Sequence, residues 1–137
     1  MDNNLDLIFK ISTINSKIIK NIDSQLSIHG ITYSEFLVMH QLSLSAAKTM
    51  RRIDLADKVG MSASGITRLL NPMEKIKIVK KEINARDARV SFVKITTAGE
   101  ELYNNALKSV ELCSKEFFED LNNNDIVKFL EILKKIR

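Results

Sequence analysis

Between Met50 and Lys75 the chain reads MRRIDLADKVGMSASGITRLLNPMEK, and few folds can absorb that stretch. Ile53, Leu55, Ala56 and Val59 fall on one short apolar helical face. Gly60 breaks that helix, and Met61 supplies an apolar residue inside the turn. Ser62 is a good N-cap, because its short side chain can accept from a backbone N–H of a following first turn. Ile66, Leu69, Leu70 and Met73 then recur at helical spacing and predict a second buried face. The pattern is helix, tight glycine-containing turn, helix.

Beyond Lys75 the pattern changes period. Ile78–Ile83 and Val90–Ile95 are rich in β-branched residues, and the polar tract NARDAR, residues 84–89, separates them. This predicts a β-hairpin with a basic tip. Upstream, Leu5–Ile28 carries Ile8, Ile11, Asn15, Ile18, Ile22 and Gln25 near one stripe, which Leu7, Ile14, Ile19 and Leu26 widen. A helix apolar on more than one face has to be covered on several sides. Gly30 ends it as a C-terminal cap. Thr32 with Glu35 three residues on has the spacing of a capping box, and that helix runs to about Ser45. Residues 46–49 are expected as a loop. Thr96 opens a long helix through Gly99, Leu102, Ala106, Val110, Cys113 and Phe117. Residues 122–125 break the chain again, and a last helix presents Ile126, Phe129, Leu130, Leu133 and Ile136.

Charge is unevenly placed along this series. Residues 48–94 hold twelve Lys/Arg against five Asp/Glu, whereas the remainder holds nine against twelve. A basic middle between acidic ends fits one anion-facing region, with nucleic acid the usual partner. One cysteine, Cys113, rules out an intramolecular disulfide framework. The N-terminus MDNNLDLIFK has acids where a secretory leader has Lys or Arg, and no apolar run approaches the roughly 18 to 20 residues of a membrane span. The expectation is a cytoplasmic protein with no membrane partner.

The order of elements, helix, helix, helix-turn-helix, hairpin, long helices, resembles the MarR (multiple antibiotic resistance regulator) family. Asp87, Arg89, Val93, Ile95, Thr96 and Gly99 match that family's D-x-R-x-x-x-V-x-L-T-x-x-G pattern, with Ile95 in the leucine place. The run from Ile53 through Val59 to Met61, then Ser62, Thr67 and Leu69, is similar to the family's helix-turn-helix tract. The resemblance implies a mainly α fold: a winged helix-turn-helix with a two-stranded β-wing and N- and C-terminal dimerisation helices. It implies one domain over residues 1–137, with a DNA-binding lobe at 32–99 and dimerisation helices at 1–30 and 100–137. Pro72 departs from the pattern. Lacking an N–H, it is expected to kink or loosen the recognition helix beyond its base-reading turns.

The function so implied is a sequence-specific regulator of transcription that binds double-stranded DNA as a homodimer on a pseudo-palindrome. A recognition helix reads base edges in the major groove with its N-terminal half. Here that half is Ser62, Ala63, Ser64, Gly65, Thr67 and Arg68. At the hairpin tip Arg89 is the minor-groove residue, Asp87 orients it through a charge-assisted pair, and Arg86 adds a phosphate contact. Arg51 and Arg52 are candidate phosphate contacts. Leu7, Ile11, Phe129, Leu133 and Ile136 would bury between subunits. The resemblance also implies repression relieved by a small aromatic or phenolic effector, with Tyr33, Met39 and His40 near its crevice by analogy, although these residues read more readily as core.

Other chemistry finds no support. GMSASGIT, residues 60–67, nearly spells a phosphate loop, but Ile66 stands in the lysine place. Two histidines and one cysteine make no convincing metal site, and no cofactor is expected. No nucleophile–base pair suggests an enzyme. Cys113, on an apolar stripe, reads as a buried inert thiol. The rival reading is a winged-helix module that binds protein and not DNA; neutral residues in place of Arg68 and Arg89 would have favoured it.

Overall fold

The computed structural model describes residues 2–137. Helix α1 spans Asn3–Leu26, with the Asp2 carboxylate accepting from Asn4 N at 3.2 Å. A short 3-10 turn, Ser27–His29, closes on Gly30 at φ 73°, a left-handed conformation natural to glycine. Helix α2, Tyr33–Leu44, opens with the expected box: Glu35 N donates to Thr32 Oγ1 at 3.2 Å, and Thr32 N donates to Glu35 Oε1 at 2.9 Å. Phe36, Val38, Met39 and Leu42 of this helix are buried.

The helix-turn-helix conforms closely to the sequence pattern. Helix α3 is Arg52–Val59 and helix α4 is Ala63–Lys75. Gly60 sits between them at φ 72°, and Met61 N donates back to Ala56 O at 2.8 Å. Ser62 Oγ accepts from Gly65 N at 3.0 Å, as an N-cap should. Leu55, Ile66, Leu70 and Met73 are wholly buried and join the core of α2. Leu69 is half-buried. Ile53 differs from expectation: it is 67% exposed, because a helix of two turns can bury only its Leu55–Ala56 side. Helix α4 runs through Pro72 and continues to Lys75. Lys77 then turns the chain at φ 64°.

The two-stranded wing, β2 and β3, is joined by a short third strand into a sheet of order β1-β3-β2. Strand β1, Thr49–Arg51, begins in the segment expected as a loop; β2 is Val79–Ile83 and β3 is Ser91–Ile95. Met50 pairs with Val93, and Lys81 pairs with Val93 from the other side, all antiparallel. The sheet thus ties the entrance of α3 to the wing.

Helix α5, Thr97–Phe117, starts against this sheet. Thr96 Oγ1 accepts from Gly99 N at 3.0 Å and donates to Lys77 O at 2.7 Å. A Cβ at position 99 would collide with the Ile78 carbonyl oxygen and the Ile95 side chain, so glycine is required there. Further along, α5 packs on the 3-10 turn and the second half of α1: His29 Nε2 and Ser109 Oγ are hydrogen-bonded at 2.8 Å, and Cys113 Sγ donates to Asn21 Oδ1 at 3.6 Å. Helix α6, Asn123–Leu133, is capped by Asn122 and Asp125, and it buries none of its residues. No helix among the described residues is long and apolar enough to cross a membrane.

Candidate nucleic-acid interface

Helix α4 forms a ridge on the surface because its apolar face is consumed by the core. At 100° per residue, Ser64, Arg68, Asn71 and Lys75 share the opposite, exposed face. Asn71 was not among the residues expected from sequence. Its signal was present, since it lies three residues after Arg68 and seven after Ser64 on the same face. An asparagine amide there has the donor and acceptor pair that matches adenine.

A groove flanks this ridge on each side. One, of about 340 Å3, is lined by Ala63, Ile66 and Thr67 of the helix, by Arg51, Arg52 and Ile53, and by Arg89, Val90 and Ser91 of the wing. The other, of about 670 Å3, is lined by Ser62, Gly65, Arg68 and Leu69 with Met61, Asp23, Thr32 and Ser34. Arg68 and Arg89 thus line grooves on the two flanks of one helix. Ala63, Ser64 and Ser62 are exposed, and Gly65 is half-buried behind them. The ridge is low at its N-terminal end, where free backbone N–H groups favour an anion.

At the wing tip the expected pairing is present. Arg89 Nε donates to Asp87 Oδ1 at 3.1 Å and Nη2 donates to Oδ2 at 3.2 Å, while Arg89 N also donates to Oδ1 at 3.0 Å. These bonds hold the Asp87 carboxyl below the usual aspartate range. The Arg89 side chain is nevertheless 91% exposed, so the carboxylate aims it without covering it. Arg86 is exposed, and its backbone N donates to Asn84 Oδ1 at 2.9 Å, which shapes the tip.

The two candidate phosphate contacts at the entrance of α3 differ. Arg51 is exposed and forms a fork on Asp54, at 2.8 and 3.1 Å, which lowers the Asp54 pKa and offsets part of its own field. Arg52 is not a free surface cation: it turns inward to Thr67 and Glu74. Among the effector candidates, Met39 is wholly buried and belongs to the core. Tyr33 and His40 are half-buried and flank Phe36 in a run of stacked rings, with His40 Nδ1 and Tyr103 Oη hydrogen-bonded at 2.7 Å. The dimer candidates Leu7, Ile11, Phe129, Leu133 and Ile136 are all exposed. Among the described residues, no three His, Cys, Asp or Glu side chains gather as a metal site would need.

Known proteins are similar to this chain in sequence and fold. The chain is 22% identical over 135 residues to the HTH-type transcriptional regulator MhqR of Bacillus subtilis, covering 98% of this chain and 92% of that one. The solved structure of AbsC, a MarR family transcriptional regulator from Streptomyces coelicolor, superposes with a TM-score of 0.88 at 22% identity, over 99% of this chain and 93% of that one. A MarR variant from Escherichia coli complexed with operator DNA gives 0.86 at 22% identity, over 99% of each chain. The family model of the transcriptional regulators SarA/Rot matches residues 17–106, a span that holds α2 to β3 with parts of α1 and α5. The chain belongs to the SarA/Rot transcriptional regulators, a winged helix-turn-helix group of MarR type.

Proposed function

We propose that the protein is a sequence-specific double-stranded-DNA-binding regulator that acts as a homodimer. The observation that carries this reading is the groove shared by Ala63 and Thr67 of α4 and Arg89 of the wing. With α4 in a major groove, its exposed face offers Ser64, Arg68 and Asn71 to base edges, and Arg68 can fork onto guanine. Arg89, held by Asp87, reaches the flanking minor groove, where an arginine meets concentrated negative potential.

The terminal helices support a second copy. Leu7 and Ile11 of α1 and Phe129, Leu133 and Ile136 after the α5–α6 turn stand in water in the single chain. Apolar area left in water costs about 25 cal/mol per Å2, so a partner with the same face is strongly favoured. Residues 1–30 and 100–137 then serve as the dimerisation helices, and residues 32–99 as the DNA-binding lobe. Two-fold pairing predicts a pseudo-palindromic operator with half-sites about one helical turn apart.

The finer reading is a repressor relieved by an aromatic or phenolic effector. Its support is the ring run in which half-buried Tyr33 and His40 flank buried Phe36, whose exposed ring edges could stack with an aromatic ligand. Met39 is enclosed in the core in the single chain.

A gel-shift on the protein's own upstream DNA across a salt series tests the main reading. A specific complex weakens with salt at a slope of about −0.9 per phosphate contacted. A folded dimer that shifts no promoter fragment at any salt would leave a protein-binding winged helix in its place.

A further inference from the structure

Arg52 lines the groove between α4 and the wing, but its guanidinium is engaged by α4. Its side chain is 17% exposed and that of its partner Glu74 is 22% exposed. Nη1 donates to Thr67 Oγ1 at 3.1 Å and Nη2 donates to Glu74 Oε1 at 3.3 Å, while Nε is buried without a partner. The second Glu74 oxygen lies 3.8 Å from Lys81 Nζ on β2. One polar chain therefore links the start of α3, both halves of α4 and the wing.

Thr67 is altered by this chain. Its hydroxyl donates to Ala63 O at 3.0 Å while accepting from Arg52. A hydroxyl has a single proton, so Thr67 has none left for a phosphate or a base acceptor. Swinging Arg52 out to DNA would break a charge-assisted pair and leave the largely covered Glu74 carboxylate only its longer pair with Lys81.

We propose that Arg52 is a positioning residue for the DNA complex: anchored by Glu74, it fixes the Thr67 side chain and the seating of α4 against α3, and it touches no phosphate itself. The proposal rests on the DNA-binding reading above and adds to it which cations count. It predicts that the planar fork matters and the charge alone does not, because only a guanidinium can reach Thr67 and Glu74 together.

The test is the salt series on the intact dimer, with melting curves to confirm folding. Arg52→Gln should lower affinity about tenfold, the scale of one charge-assisted hydrogen bond, with the salt slope unchanged. Arg52→Lys should do the same. Thr67→Val, which removes only the hydroxyl that Arg52 grips, guards against an unfolded Arg52 variant. It should lose affinity in the same direction, again at constant slope. A slope lower by about 0.9 in Arg52→Gln, or recovery of binding by Arg52→Lys, would make Arg52 a phosphate contact and overturn the proposal. Unchanged affinity in Thr67→Val would overturn it too. Arg89→Ala is the control: it must lower the slope by about one. If the unaltered protein shows no salt-dependent specific shift, the DNA-binding reading itself fails, an outcome distinct from the others.

Discussion

The winged lobe and the terminal helices use the same apolar alphabet and end in opposite states. In the lobe, Leu55, Ile66, Leu70 and Met73 are fully enclosed. In α6 and the first half of α1, Phe129, Leu133, Leu7 and Ile11 repeat at equally helical spacing and remain in water. The lobe completes itself because α2, α4, α5 and the sheet close around one centre. Among the described residues, α6 and the first half of α1 have no second layer to cover them. A periodic stripe thus establishes that a helix will be covered, and only topology decides whether the cover comes from the same chain.

The contrast can be broken most sharply at α6. Replacing Phe129 and Leu133 by Glu should convert a dimer to a monomer in sedimentation and abolish detectable operator binding, while the melting of the lobe remains cooperative. In the lobe the same chemistry acts on folding. Leu70→Ala should cost about 2–5 kcal/mol of stability by denaturant unfolding, because its methyl groups are removed from a closed core. A loss under about 1 kcal/mol would mean that the lobe is looser than its burial implies. On the charged surface Arg89→Ala should leave stability within about 0.5 kcal/mol, since the site is exposed. It should nevertheless weaken DNA binding roughly tenfold, as loss of a minor-groove arginine does. The smallest effect concerns pH. The folded Asp87 pKa is depressed, so the stabilising pair with Arg89 is present above the unfolded value of about 3.9 and is lost only as pH falls through the lower folded value. The ratio of wild-type to Asp87→Asn affinity should therefore stay constant from about pH 8 to 5. A ratio that changes in that window would place another group in control of the wing.

The two regions also differ in how well they can be read from sequence. The capping box at Thr32 and Glu35, the Gly60 turn and the Ser62 cap are local signals, and each stands where its residues predict. The Asp87–Arg89 pair, two residues apart, was legible in the wing pattern. Contacts between distant residues were not. Strand β1 is too short to show alternation, and its pairing with β3 spans more than forty residues. The inward turn of Arg52 depends on Glu74, twenty-two residues on. Ile53 misled because a helix of eight residues fixes its apolar side poorly. Asn71 lies outside the N-terminal half of α4 on which the motif bears.

Cys113 fits the same division. Burial raises its thiol pKa, with the nearby Glu116 adding to the shift, so it is held as the unreactive thiol near neutral pH. It belongs to the closed side of the molecule.

In the proposed complex two lobes, joined through α1 and α6, present α4 and the wing to one duplex. Hydroxyl-radical footprinting of the operator tests that geometry without intermediaries. Two protected patches should appear about one helical turn apart on one face of the DNA, each reduced at its outer edge by Arg89→Ala. A single patch from the intact protein, or an unchanged footprint from the Phe129 and Leu133 variant, would contradict it.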